Sequence, residues 1–342
     1  MNSKNVLIVG TGVSGLSVAL KLLQAGHNVT LYSKEADGEL PKTSKTAYAM
    51  WVPVRIDGTN VERWTNETYA EFQALANDPN TGIAMREIVV FKPEHTEPWY
   101  SYLDCFRHAT ADELAGTCYS HAHVYDKAPV ITPAVYLAWL RAQVEDAGGV
   151  VVQREVQQWS DCPAEFDVIV NCAGLGARKL ANDQTLYGER VQVVRIKAKK
   201  GIDKVYVDDE GANKRACVVP HGQDDGAGEH DYIQCGAVFD GEQDSLDVDD
   251  TLTAEILARC NKMVPGLDAQ LTDVISVERA HRPERALIRV ECDKTPDGRK
   301  LIHNYGHDGM GYLTSSGIAT EIVGFLTEAA EPDSQPQTPT EA

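Results

Sequence analysis

The chain has 342 residues, 43% of them hydrophobic, so it can bury a sizeable core and is expected to fold as roughly two domains. Its 32 Lys and Arg against 51 Asp and Glu give a formal net charge of −19, which repels phosphate backbones and anionic lipid and excludes nucleic acid and membranes as expected partners. With no signal-peptide pattern at the start and eight scattered cysteines without metal-ligand spacing, we expect a cytoplasmic protein with free thiols and no metal.

A βαβ unit is predicted at the start of the chain. Val6–Val9 is a continuous apolar run, which is typical of a strand buried on both faces of a parallel sheet. From Ser14, apolar residues recur at helical spacing until Gly26, and residues 29–32 predict a second strand. The segment Gly10-Thr11-Gly12-Val13-Ser14-Gly15, between the first strand and the helix, fits the pattern G-x-G-x-x-G.

This glycine motif predicts a dinucleotide site. The first glycine allows a tight turn, the second lets the backbone approach a pyrophosphate, and the third lets the helix pack on the strand, while the helix N-terminus stabilises the anion. The predicted contacts are Gly10, Gly12, Val13, Ser14 and Gly15. For the adenosine, either Glu35 or Ser33 together with Lys34 is expected to make the contact, and the motif does not choose between FAD and NAD.

The central part of the chain first leaves this unit and then returns to it. After Lys42 the spacing becomes irregular and Trp, Tyr and Pro are frequent, which indicates a substrate-side region through about residue 130. A helix is predicted over Pro133–Ala147, followed by strands over Val150–Gln153 and Asp167–Asn171 that belong with the first unit.

The last third of the chain predicts a second visit to the substrate side. Residues 191–274 alternate short β-rich runs with an acidic, glycine-rich segment, His221–Asp231, for which we expect a mobile surface loop. The final residues are rich in Pro, Glu, Gln and Thr and predict a disordered tail.

Several short segments along nearly the whole chain match segments of a known protein family. They occur in the same order as in that family, which is hard to obtain by chance. They are Ala49–Pro53, Tyr136–Leu140, Val170–Gly174, Arg190–Val194, Arg282–Arg285, Ile288–Glu291 and His303–His307. Through them the chain resembles the D-amino-acid oxidase and D-aspartate oxidase family of FAD-dependent oxidoreductases. The resemblance implies FAD as the cofactor and an α/β fold, with a Rossmann-like FAD-binding domain and a second α+β substrate domain built on an antiparallel sheet.

The expected domains are discontinuous in sequence. The FAD-binding domain is predicted to comprise residues 1–50, 131–190 and 275–330, the substrate domain residues 51–130 and 191–274, and the disordered tail residues 331–342. A homodimer is one assembly that the sequence allows, but nothing in the sequence sets the oligomeric state.

The resemblance also implies which residues contact FAD. Val156 is expected beside the adenine, and Thr43 and Ser44 beside the pyrophosphate or ribityl chain. A glycine-rich turn before a last helix, Gly317–Thr327, is expected to wrap the flavin end, where backbone amides stabilise negative charge on the reduced ring. The implied contacts at this end are Ala49, Met50, Asp308, Gly309, Met310, Gly311, Tyr312 and Leu313.

Arg282 is the expected substrate ligand. A planar guanidinium binds an α-carboxylate through two parallel hydrogen bonds and stays charged at any working pH. The family mechanism needs few acids or bases from the protein, because with the amine neutral the Cα hydrogen leaves as hydride to the flavin and O2 then takes the electrons to give H2O2, and no catalytic acid or base is assigned. His303 and His307 are accordingly expected to be structural. The other implied substrate contacts are Val52, Cys217 and Gly309.

The sequence departs from the family pattern around the expected substrate. Cys217 stands where the family has a tyrosine, Val52 where it often has a polar residue, and Ala49 where it has a glycine. These changes put ordinary neutral D-amino acids in doubt. Lys214 or Arg215 is a candidate partner for an acidic substrate side chain, with a solvated loop charge as the alternative.

Three functions therefore remain open from the sequence. The first is an oxidase of a small amino acid, with the D form favoured, that gives an imino acid and then keto acid and ammonia. The second is a glycine or sarcosine oxidase-like enzyme, or a dehydrogenase with an electron acceptor other than O2. The third is a non-catalytic FAD-binding protein.

Overall fold

A computed structural model describes residues 3–52, 60–92, 94–95, 101, 103–208, 216–222, 231–242 and 245–327, without the side chains of 237–240 and 242. The expected tail at 331–342, most of the predicted loop after His221, and Lys214 and Arg215 lie outside these residues. Among the helices of the described ranges, none combines the length and apolar composition needed to cross a lipid bilayer.

The described strands form two separate sheets. In chain order they are β1 (Asn5–Val9), β2 (Asn28–Ser33), β3 (Ile83–Lys92), β4 (Phe106–His108), β5 (His121–Ile131), β6 (Val150–Gln153), β7 (Val168–Asn171), β8 (Tyr187–Lys197), β9 (Val205–Asp208), β10 (Ala216–His221), β11 (Tyr232–Glu242), β12 (Val274–Glu284), β13 (Arg289–Lys294) and β14 (Lys300–Tyr305). The six-stranded sheet has the order β13-β14-β7-β1-β2-β6, and the eight-stranded sheet has the order β12-β8-β11-β10-β9-β3-β5-β4.

The six-stranded sheet is parallel except at its edge strand β13. The central strand β1 is buried along Val6–Val9, as its unbroken apolar run predicts for a strand covered on both faces. The eight-stranded sheet is antiparallel apart from the parallel pair β3 and β9. The predicted fold class, a Rossmann-like unit beside a second sheet domain, is confirmed.

The described helices cover both sheets. They are α1 (Val13–Gln24), α2 (Lys42–Thr46), α3 (Val61–Leu75), α4 (Ala111–Leu114), α5 (Pro133–Asp146), α6 (Ala177–Leu180), α7 (Asp250–Met263) and α8 (Gly311–Thr327). Helix α8 packs between α1 and α3. At the α3 crossing, a Cβ on Gly317 would lie 2.4 Å from the Cα of Trp64, so the two backbones are in direct contact.

Three helices differ from the sequence-based expectation. Helix α8 begins at Gly311 rather than Gly317, so the expected glycine-rich turn is a single 3₁₀ turn, Asp308–Met310, that runs straight into helix. Helices α3 and α7 lie in regions where only irregular spacing or short β-rich runs were predicted.

Strands β12 and β13 follow each other in the chain, and each is the edge strand of a different sheet. By sheet membership β12 therefore belongs with the substrate-side strands, although the predicted division assigned residues from 275 onward to the FAD-binding domain. The domain limits themselves stay a prediction.

Candidate active site

A cleft of about 500 Å³ runs between the two sheets, past the carboxyl ends of β1 and β7. In a parallel sheet this edge is where ligands bind, because the chain turns there into loops and helix N-termini. One end of the cleft is lined by Lys34, Glu35 and Val156, and the wall continues past the glycine motif to strands of the eight-stranded sheet. The cleft has the extended form that a dinucleotide requires.

The glycine motif is placed as its three predicted roles require. A Cβ on Gly10, which has φ +112°, would lie 2.3 Å from the carbonyl oxygen of Cys172, so this turn admits only glycine. A Cβ on Gly15 would lie 2.0 Å from the carbonyl oxygen of Gly10, where α1 packs on β1. Gly10, Gly12, Val13 and Ser14 line the cleft, whereas Gly15 lies behind it.

The α2 segment reaches the same part of the cleft. Ser44 Oγ accepts a hydrogen bond from the backbone amide of Val13 at 3.2 Å, at the first turn of α1. Thr43 Oγ1 donates to the carbonyl oxygen of His281 at 3.0 Å, and both Thr43 and Ser44 line the cleft. Hydroxyls at a helix N-terminus suit a phosphate, because they add polar contacts to the positive end of the helix dipole.

At the expected adenosine end, the structure separates the residues that the sequence left as alternatives. Lys34 and Glu35 line the cleft, and so does Val156, which is 8% exposed. Ser33 is buried behind the wall, where its hydroxyl lies 2.9 Å from Thr11 Oγ1 and donates to Glu35 Oε2 at 3.1 Å. Ser33 thus positions Glu35 rather than facing the cleft.

Two segments flank the flavin end of the cleft. Ala49, Met50 and Val52 line it, and Ala49 has φ +47°, a left-handed conformation that suits the glycine of the family pattern better. The second segment, residues 308–313, is called the flavin-side loop below. Its members Asp308, Gly309, Gly311, Tyr312 and Leu313 line the cleft, whereas Met310 is buried in the core next to the six-stranded sheet.

Arg282 lies in the wall of the cleft, surrounded by carboxyl groups. Its Nε is 2.7 Å from Asp308 Oδ1, and its Nη2 is 2.6 Å from Glu189 Oε2 and 2.5 Å from Glu284 Oε1. Arg282 is the register partner of Glu189 across β12 and β8, and Glu284, two residues along β12, has its side chain on the same face. Its Nη1 lies 3.4 Å from the position of a Cβ on Gly309, in the flavin-side loop.

Glu284 and Asp308 act as a carboxyl pair. Burial, followed by the hydrogen bond with Asp308, raises the pKa of Glu284 to about 8, so the pair holds a proton at neutral pH. Sequence reasoning singled out Arg282 and Asp308 but missed Glu189 and Glu284. The signal for Glu284 was present, because residues i and i+2 of a strand share a face.

The two histidines near the flavin-side loop are held by other contacts. Burial lowers the pKa of His307 to about 4, and its Nε2 lies 2.8 Å from Asn304 Oδ1. Burial, and then nearby Arg289, lower the pKa of His303, whose ring nitrogens lie near Asn171 and Asp293. Both rings are therefore neutral at physiological pH, which supports a structural role.

The substrate-side wall is mainly aliphatic. Cys217, on β10, is 4% exposed and lines the cleft. Tyr48, which sequence reasoning missed, also lines it, and its hydroxyl fills the space where Gly236, the register partner of Cys217, has no Cβ. Among the described residues this hydroxyl has no hydrogen-bond partner. The cleft is also lined from this side by Val52, Val90, Lys92, Val191, Val193 and Val207.

Together the fold and the cleft define a two-domain dinucleotide-binding protein with an arginine beside the expected flavin end. A family model described as FAD dependent oxidoreductase matches residues 5–324, and the chain belongs to this family. FAD is accordingly its cofactor, and the glycine-only turn at Gly10 with the adjoining extended cleft fits that group.

The relatives agree with this assignment. A D-amino-acid oxidase of Rubrobacter xylanophilus is 32% identical over 94% of this chain and 96% of its own length, and one of Dictyostelium discoideum is 31% identical over 95% and 92%. A solved structure of glycine oxidase from Geobacillus kaustophilus shares the fold, with a TM-score of 0.78, 16% identity and 96% coverage of both chains. The resemblance to the D-amino-acid oxidase family is confirmed.

Proposed function

We propose that the protein catalyses the FAD-dependent oxidation of a small amino acid, with the D form preferred, to an imino acid that hydrolyses to a keto acid and ammonia. Bound FAD supplies the two-electron oxidation, and O2 is the proposed electron acceptor, giving H2O2. The preference for the D form comes from relatives of about 30% identity that are named D-amino-acid oxidase.

The observation that carries this proposal is the position of Arg282. Its guanidinium lies in the cleft wall and contacts the flavin-side loop. We infer that it binds the α-carboxylate and so holds the Cα hydrogen towards the flavin, because a bidentate ion pair fixes the orientation as well as the position of its ligand.

The departures from the family pattern put neutral D-amino acids in doubt, but the aliphatic wall of the cleft favours an uncharged substrate side chain. Val90, Val193, Val207 and Cys217 offer apolar contact, and burying a charged group against them without a partner would be costly. Lys92, on β3, also lines the cleft, and its positive charge makes an acidic substrate side chain the second candidate.

The test is anaerobic mixing of the purified flavoprotein with a panel of amino acids. We expect small neutral D-amino acids to bleach the flavin absorbance, with their L forms and D-aspartate slower. Bleaching by glycine or sarcosine alone would favour the glycine oxidase-like alternative. If no amino acid bleaches the flavin, the oxidase function is wrong even though FAD is bound. Peroxide yield with and without an artificial acceptor then separates an oxidase from a dehydrogenase.

A further inference from the structure

The carboxyl groups around Arg282 have no role in simple carboxylate binding. Asp308 lies in the cleft wall, on the flavin-side loop, with Oδ1 2.7 Å from Arg282 Nε. It has φ +52°, a left-handed conformation that Asp and Asn adopt more readily than other non-glycine residues. An aspartate at such a position, in contact with the substrate ligand, calls for a chemical explanation.

The charges around Arg282 supply a chemical explanation for this aspartate. With Glu284 protonated, Arg282 (+1), Glu189 (−1) and Asp308 (−1) sum to −1. A carboxylate without an ammonium would make this sum −2 in a partly buried site, which opposes binding. A zwitterionic amino acid adds no net charge, and the sum is still −1 after its ammonium proton has moved onto Asp308, so the neutral amine forms without any build-up of charge.

The incoming amino acid carries that proton. At neutral pH its amine is an ammonium group, and hydride can leave Cα only when the nitrogen has a free electron pair. The ammonium and carboxylate groups are attached to the same carbon, so a carboxylate on Arg282 places the nitrogen near the groups that surround this guanidinium.

We propose that Asp308 accepts the ammonium proton of the bound substrate, with Glu284 as its hydrogen-bonded partner; this inference rests on the proposed oxidation of an amino acid. One N–H bond breaks, its electron pair stays on nitrogen, and one O–H bond forms on Asp308. The neutralised Asp308 releases Arg282 Nε for the substrate carboxylate. The proton leaves to solvent when the product departs, so the pair returns to its starting state.

The groups that face Asp308 are consistent with this role. Arg282 and Glu284 from β12 contact it directly, His307 precedes it in the chain, and Glu189 from β8 lies on the other side of Arg282. His307 stays neutral because burial lowers its pKa to about 4, and the raised pKa of Glu284 keeps the pair from carrying two negative charges. Asp308 lines the cleft, so it is the member of the pair that a bound substrate can reach.

The first test compares Asp308→Asn with the wild type by anaerobic flavin reduction across pH. Asparagine has the same shape and tolerates positive φ, so the loop is expected to keep its fold. We expect reduction by a D-amino acid to be about 100-fold slower than wild type at pH 7 and within about threefold at pH 10, where the free amine is abundant. The control is Asp146→Asn, an exposed aspartate at the end of α5, which should follow the wild type at every pH. A loss of the same factor at all pH values would overturn the proposal.

The second test measures proton uptake without any reaction. Propionate has a carboxylate but no ammonium, so its binding to Arg282 must draw a proton onto Asp308 from solution. Its dissociation constant, followed by the flavin spectrum, should rise about tenfold per pH unit above neutrality in the wild type and stay flat in Asp308→Asn. A pH-independent wild type, or a variant that keeps the slope, would contradict the proposal.

The two proposals fail in different ways. If neither propionate nor any amino acid changes the wild-type flavin spectrum, the proposed oxidase function is wrong. If amino acids bleach the wild type and Asp308→Asn keeps a parallel pH profile, only the role of Asp308 is wrong.

Discussion

One end of the cleft is formed mainly by backbone atoms, and the other end by charged side chains. At the glycine motif, the shape of the site comes from backbone: an α-helix N-terminus, a turn with φ +112° at Gly10, and positions where a Cβ would collide with a carbonyl group. At Arg282, the site comes from charged side chains on β8, β12 and the flavin-side loop. The first end is encoded within six consecutive residues, whereas the second depends on the register of two strands, and so the two ends should respond differently to mutation.

The largest effect of a mutation is expected at the glycine motif, where backbone atoms form the site. Gly10→Ala introduces a Cβ 2.3 Å from the Cys172 carbonyl oxygen and strains a positive φ, so we expect FAD affinity to fall about 1000-fold or more. Flavin content after purification and FAD titration of the apoprotein measure it. The control is Gly324→Ala in α8, where a Cβ meets nothing within 4 Å, and which should bind FAD normally and be slightly more stable. Normal FAD binding by Gly10→Ala would contradict the backbone interpretation.

At the end of the cleft formed by charged side chains, Arg282→Ala should raise the KM for amino acids about 30-fold or more, because loss of a buried charged contact costs about 2 to 5 kcal/mol. Arg282→Lys keeps the charge without the bidentate geometry and should fall between alanine and the wild type. Steady-state kinetics measure these changes. The control is Arg63→Ala, which replaces an exposed arginine on α3. An unchanged KM would remove Arg282 from the substrate site.

A smaller effect is expected on stability. The folded-state pKa of Glu284, about 8, is above the unfolded carboxyl value, so its contribution to stability is complete below the unfolded pKa and is lost as the pH rises to about 8. Glu284→Gln cannot ionise, so above pH 8 it should be more stable than the wild type by at least about 1 kcal/mol, with the gain vanishing near pH 4. Urea unfolding across pH tests this, with exposed Glu291→Gln as the control. A gain that does not change with pH would be inconsistent with a shared proton.

The smallest effect concerns Tyr48. Its ring packs in the wall, while its buried hydroxyl has no hydrogen-bond partner among the described residues. Tyr48→Phe keeps the ring and removes the hydroxyl, so we expect the free energy of unfolding to change by less than about 1 kcal/mol, towards greater stability. Thermal unfolding of the substrate-free flavoprotein measures it. A loss of several degrees in Tm would show that the hydroxyl has a stabilising partner.

The same contrast explains what the sequence predicted. The βαβ unit and the glycine motif were predicted because apolar periodicity and glycine spacing are local signals, and β6 has the predicted limits. The arrangement around Arg282 was not, because Glu189 is 93 positions away in the chain and reaches the guanidinium only through the pairing of β8 with β12.

The missed helices have physical reasons too. The buried face of α3 includes Thr65 and Thr68, whose hydroxyls donate to backbone carbonyls one turn earlier, so a polar residue type stands where the pattern requires an apolar one. In α7 the signal was present: Ile256, Cys260 and Met263 recur at helical spacing and are buried. Its neighbouring β-rich runs led to a strand-based interpretation of the whole region.

The succession of β12 and β13 links the two ends mechanically. The chain leaves the rim of one sheet at Glu284 and joins the rim of the other at Arg289, so four residues span the gap between them. Lengthening this four-residue bridge would move the Arg282 guanidinium relative to the glycine motif without altering either site. Exchanging strands β8 to β11 with those of a relative would leave the length of the bridge unchanged. Recombination of this enzyme with its relatives should therefore keep the bridge at its native length.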